Sequence, residues 1–281
     1  MAQSDWVAEA RSNEWWQEQE SQKVIDIIER LVDGKLEPTA AAAEAAATYE
    51  PLVKENPPVA VAAVHNILFR AARAVGQDVG TSQRLTEFVL ALQKVGNVRD
   101  SYGQTVKLNG QAVWSDLPEF SYHFREFGIS IEHPDDYDGN WLDEAPQLLN
   151  AATFGAVFME ASDPAKMSFL ASSSLIDGVE MAYSQDQADR AAMYIPPATA
   201  WILHAGKSLY KLCQDRYSKS ATLGVKESGC QWLWTGGVGF SPERWDFWKK
   251  RLQELGGQES LDQSLKSLAK EALKKMQDIE A

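Results

Sequence analysis

Cysteine is almost missing from this chain. Only Cys213 and Cys230 occur in 281 residues, which argues against a disulfide framework and for free thiols in a reducing compartment. No stretch of 18 apolar residues exists, so no segment is expected to span a bilayer. The opening MAQSDWVAEARSNEWW carries acids and no apolar run. Neither a secretory leader nor a transit peptide is therefore expected, and the expected compartment is the cytoplasm. Positive charge is scarce as well, with 27 Lys and Arg against 40 Asp and Glu and a net charge of −13. Duplex binding needs clustered cations to displace counterions, so no nucleic-acid partner is expected, and anionic membranes are poor partners for the same reason.

Cofactor signatures are absent too. The run Gly236-Gly237-Val238-Gly239 lacks the lysine of a phosphate loop and the third glycine of a dinucleotide fingerprint. The two cysteines match no zinc or redox spacing, and Ser172-Ser173-Ser174 has no nucleophile elbow around it. The acidic stretch EHPDDYDGNWLDE invites a calcium reading. Aligning Gly139 with the calcium-loop glycine, however, puts Pro134 and Ala145 where the first and the bidentate ligands belong. No cofactor and no metal site are expected.

What remains is helix. Residues 13–33 place Val24, Ile27, Ile28 and Leu31 at helical spacing before Gly34. Thr39 precedes an alanine-rich helix expected to stop at Pro51, whose small side chains would admit a close neighbour. Asn56-Pro57 opens a third helix, and 82–95 gives a fourth. Further helices are expected near 117–127, 146–161 and 164–182, and another restarting at Pro196-Pro197 and running to about 215. The last pair comprises one helix begun by Ser241-Pro242 and one begun by a Ser260/Gln263 capping box. Between the fourth helix and the one near 117–127, TVKLNGQAVW reads either as loop or as a small hairpin over 105–114 around Asn109-Gly110. The expectation is all-α: one domain over 1–281 with about nine or ten helices, the 241–281 pair packed on it.

Tryptophan is in excess, with ten residues, each able to bury roughly 150–250 Å² while keeping one N–H that needs an acceptor. They are core anchors or the walls of an apolar pocket, and the spacing does not decide. His65 lies on an apolar helix face and reads as a hydrogen-bonded core residue. His204 follows Trp201 by one turn, with Ser208 and Lys211 farther along the same side, either as an ordinary helix rim or as a pocket edge. In the second case the ring would suit acid–base work.

Three patches also carry a resemblance: WSDLPEF with Arg125-Glu126 downstream, YIPPATAWILHAG, and GFSPERWDFWKKRL. Together they resemble a family of fungal all-helical proteins catalogued only as a domain of unknown function. The resemblance implies a helical fold, a fungal origin and a role near small-molecule metabolism, and it supplies no catalytic residue. The expected function is cofactor-independent cyclisation, isomerisation or rearrangement of an apolar small molecule. His204 would be the catalytic group, and Trp201, Ser208, Trp114, Trp141, Trp245 and Trp248 would line the pocket. The alternative is a non-catalytic protein–protein interaction or ligand-carrier protein. A homo-oligomer is left open.

Overall fold

A computed structural model describes residues 6–76, 78–130, 141–184, 187–218 and 231–281, with the side chains of Trp15 and Trp141 outside the description. The acidic stretch read for calcium lies mostly outside these residues, as does Cys230. Eleven α-helices and one two-stranded sheet are present among the described residues, so the fold is all-α with a small hairpin. The chain divides into two compact units, Met1–Ser130 and Ile131–Ala281.

The first unit comprises α1 (Trp6–Ser12), α2 (Gln19–Val32), α3 (Pro38–Glu55), α4 (Pro57–Val75) and α5 (Val79–Leu92), then the hairpin and a short helix. The expected 13–33 helix is shorter at its start, where a 3-10 turn, Glu14–Trp16, precedes α2. On α2, Val24, Ile27, Ile28 and Leu31 are buried as their spacing requires, and Gly34 leaves the helix at φ +70°. The alanine face of α3 buries Ala41, Ala42, Ala45 and Ala46 and packs closely on α5. Pro51 does not stop α3, which continues to Glu55. A proline ring is stereochemically helical, and its cost is the hydrogen bond it cannot give to the carbonyl of Ala47. Buried Tyr49 and Val53, on either side of it, hold the last turns to the core.

The hairpin pairs β1 (Lys107–Leu108) antiparallel with β2 (Gln111–Ala112). Asn109 and Gly110 take φ 51° and 81°, the double positive φ that a two-residue turn of this twist demands. After it, α6 (Phe120–His123) runs directly into a π-helical turn, Phe124–Ile129.

The second unit contains α7 (Ala145–Ala161), α8 (Ser168–Leu175), α9 (Ala188–Gln214), α10 (Pro242–Gly257) and α11 (Gln263–Glu280). The long α9 is its axis: α7, α8, α10 and α11 all pack on it. It begins eight residues before Pro196 rather than restarting there. Buried Ala191, Met193 and Ile195 hold that first stretch helical despite the two missing N–H groups. It then departs from helical geometry at Ala205 (φ −127°, ψ 20°). The Ser260/Gln263 capping box does not form: Asp262 precedes α11, and its side chain makes no cap bond. Ser241 does cap α10, its hydroxyl accepting from the Arg244 N–H at 3.2 Å. No described helix is long and apolar enough to cross a membrane.

Candidate functional site

The residues expected to line one pocket are distributed as follows. Trp201, His204 and Ser208 lie on α9, and Trp245 and Trp248 lie on α10, which packs on α9. Trp141 opens a 3-10 turn packed on α7 and α9, while Trp114 belongs to the first unit. Trp201, Trp245 and Trp248 are each 1% exposed or less, so water-sized space scarcely touches their rings. The Trp245 indole donates to Glu280 Oε1 at 2.7 Å, and Trp201 Nε1 is buried with no acceptor among the described residues. His204 is half-buried. Burial first, then Lys275, lowers its pKa, partly opposed by Glu271. Beside it, where α9 departs from helical geometry at Ala205, the Ser208 N–H donates to Glu160 Oε2 at 3.1 Å.

Three of the tryptophans, Trp232, Trp234 and Trp248, surround a buried ion pair. Glu180 ends a π-helical turn, Ile176–Glu180, that continues α8, and it is fully buried. Its carboxylate accepts from Arg244 Nε at 2.6 Å and Nη2 at 2.9 Å, from Trp248 Nε1 at 2.7 Å and from Trp232 Nε1 at 2.6 Å. Arg244 gives its remaining Nη1 to the Gly239 carbonyl at 2.9 Å and lies over the Trp234 and Trp248 rings. Arg251, two turns further along α10, donates to the Val179 and Met181 carbonyls on either side of Glu180. Every strong donor and acceptor here is matched, as a buried charge requires. The signal was present in ERWDFWKKR: Arg244, Trp248 and Arg251 share the apolar stripe that ends at Leu255. Cations on an inward face imply a buried acid.

In the first unit, His65 Nδ1 and His123 Nδ1 are 2.9 Å apart and packed against Phe69 and Phe120. Sequence reading placed His65 correctly as a hydrogen-bonded core residue and missed its partner. Burial, then His123, pushes the His65 pKa well below its ordinary value. Burial also lowers that of His123 against the pull of Glu119 and Glu126.

The unit's outer surface carries a groove between α3 and the end of α5. Two contiguous open recesses form it, of about 580 and 440 Å³, sharing Ala43 and Val95. The first is bordered by Glu37, Glu87 and Lys94; the second by Ala47, Glu50, Lys54, Arg99 and Trp114. Ala43, Ala47 and Val95 are exposed on its walls. Trp114, 1% exposed, contributes to the wall, and its Nε1 is buried with no acceptor among the described residues. An orphan donor of this kind costs about 1–3 kcal/mol and asks for an explanation. The groove is thus a mixed surface, with charged side chains around the exposed Ala43, Ala47 and Val95. Among the described residues, no three His, Cys, Asp or Glu side chains gather to hold a metal ion.

Fold and groove together define an all-helical protein with an open, amphipathic ligand-sized recess. The chain belongs to the family described as "Protein of unknown function (DUF3632)", which matches residues 65–252. That span holds Trp114, the histidine pair and the Glu180–Arg244 centre, while α3 precedes it. No curated protein and no solved structure matches the chain.

Proposed function

We propose that this is a non-catalytic binding protein and that its ligand sits in the α3–α5 groove, against the exposed Ala43, Ala47 and Val95. The carrying observation is the pair of adjoining recesses along α3, of about 580 and 440 Å³, which share the exposed Ala43 and Val95 and are rimmed by charged side chains. A ligand site sets a few polar groups beside apolar surface, and these recesses have the size and the mixed lining for one. The tight packing of Trp201, Trp245 and Trp248 supports binding here rather than chemistry between α9 and α10. A test is a fragment screen read by the indole ¹⁵N–¹H resonances, with Trp114 assigned from Trp114→Phe. Fragments bearing a carbonyl or carboxylate should shift the Trp114 resonance in the native protein and not in Ala47→Leu, which fills the groove. No shift of that resonance by any fragment would refute the reading.

A second reading keeps His204 as the acid–base group of an enzyme acting on an apolar small molecule. It is favoured by the opening of α9 at Ala205, beside a half-buried ring with a lowered pKa. Near neutral pH such a ring is unprotonated, the form a general base needs. Turnover of an apolar substrate that His204→Ala abolishes while the fold persists would carry it. Turnover unchanged in that variant would end it.

A further inference from the structure

We infer that the larger recess of the α3–α5 groove takes a small zwitterion with an apolar body, its ammonium held by Glu37 and Glu87 and its carboxylate by Lys94. The inference rests on the groove reading above and adds the chemistry of the ligand. At about 580 Å³ the recess falls in the size range of small-molecule sites, roughly 300–1,000 Å³. Three charged side chains line it: Glu37, the residue before α3, and Glu87 and Lys94 from the α5 side. All three are exposed. In the adjoining recess Lys54 is already matched by Glu50 at 2.6 Å. No ion pair among the described residues takes up Glu37, Glu87 or Lys94.

Their order along the recess sets the polarity of the ligand. The two recesses meet at Ala43 and Val95. Glu37 comes before Ala43 and Glu87 before Val95, so both carboxylates stand at the end away from that junction, and Lys94 stands beside it. Glu87, Leu90, Ala91 and Lys94 follow one another at helical spacing, with the two apolar residues between the charges. The α-helix ends at Leu92, yet the Lys94 N–H still bonds the Ala91 carbonyl at 2.9 Å, so the chain keeps turning. At 1.5 Å per residue Glu87 and Lys94 are about 10 Å apart along the axis. Exposed Ala43 and half-buried Leu90 and Ala91 make a shallow apolar bed over that distance. A zwitterion lying one way meets opposite charge at both ends. Turned round, it meets like charge at both.

The experiment is a titration of the full chain with ω-aminooctanoate, octylamine and octanoate, read at the backbone amide resonances of Ala43, Leu90 and Ala91. The three probes share an apolar chain and differ in their charged ends. The zwitterion should bind about two- to fivefold more tightly than either single-charge probe, the gain expected of one exposed ion pair. Glu87→Gln should weaken ω-aminooctanoate and octylamine by about that factor and leave octanoate unchanged or tighter. Lys94→Gln should weaken ω-aminooctanoate and octanoate and leave octylamine unchanged or tighter. Both side chains are exposed, so neither variant disturbs the core. Equal affinity for the three probes, or variants that weaken all three alike, would overturn the inference. No binding of any probe, with fragments still shifting Trp114, would overturn the zwitterion and leave the groove reading standing. No shift by the probes or by any fragment would overturn both.

Discussion

Replacing Glu180 with glutamine separates the buried ion pair from the tryptophans around it and gives the sharpest energetic test. In the native protein the carboxylate accepts four hydrogen bonds, two from Arg244 and one each from Trp232 and Trp248. Glutamine is nearly isosteric, so packing changes little, but one of its terminal atoms becomes a donor. Of the two donors now aimed at each carboxylate oxygen, one pair at least must meet an N–H instead of an oxygen. Arg244 also keeps its charge at 2% exposure with no anion beside it. Removing one partner of a buried pair costs about 3–5 kcal/mol. That is a large share of the roughly 5–15 kcal/mol total stability of a folded domain. At about 2–4 °C per kcal/mol for a domain of this size, the melting temperature should fall by roughly 6–20 °C. Denaturant melts of Glu180→Gln, Arg244→Met and the double variant form a cycle. The double should cost less than the sum of the singles, with a coupling of about 2 kcal/mol or more. A Glu180→Gln protein within about 1 kcal/mol of the native one, or a coupling under about 0.5, would refute the view that this pair organises the second unit.

The histidine pair should make the first unit acid-sensitive. Both rings have folded pKa values below the unfolded one, so the unfolded chain takes up protons first, and stability is lost as pH falls below about 6.5. Urea melts should show a loss of about 1–2 kcal/mol between pH 6.5 and 5.5, and both imidazoles should titrate by NMR below the usual range. Titration of both near 6.5 would contradict the geometry. A methyl group at Gly178 would lie 2.3 Å from the Tyr194 carbonyl oxygen and 2.4 Å from Ala198 Cβ. Gly178→Ala should therefore destabilise by about 1–3 kcal/mol in a thermal melt, through displacement of α9 from the turn that carries Glu180. Burial pushes the Cys213 thiol up to about 12, so peptide-resolved alkylation should find it unreactive until the protein unfolds. Pro51→Ala should restore a hydrogen bond to Ala47 and raise stability by up to about 3 kcal/mol in a thermal melt. A variant no more stable than the native protein would show that α3 already accommodates the missing N–H.

Helical periodicity made α2, α4, α5, α10 and α11 legible because one face of each is buried and the spacing records it. The hairpin was legible for a local reason, since Asn-Gly is suited to the paired positive φ angles that its turn adopts. Proline misled twice. A missing N–H is a local cost, and at Pro51 and Pro196-Pro197 burial of neighbouring side chains outweighs it. The two π-helical turns left no periodic trace, being a single turn each. Of the pocket-lining candidates, the tryptophans were found by their abundance, but the acceptors of their N–H groups lie far off in sequence: Glu180, 68 residues before Trp248, and Glu280, 35 residues after Trp245. The groove was the least legible feature. Alanine on α3 indicated close approach of a neighbour, which α5 makes, yet the recess left beyond that contact depends on which alanines face outward.

The turn Ile176–Glu180 has a further consequence. A π-helical turn accommodates one residue more than the α-helical ladder it interrupts. Deleting a single residue between Ile176 and Val179 would let α8 close as an ordinary helix and leave the Glu180 position near its present angle about the axis, whereas a deletion within Ser168–Leu175 would swing it by about 100°. In the second case the carboxylate would face away from Arg244 with every participating residue still present in the chain. The ion pair is therefore as much a matter of counting as of chemistry, and a one-residue deletion in the π-helical turn should be better tolerated than one in the α-helical turns before it.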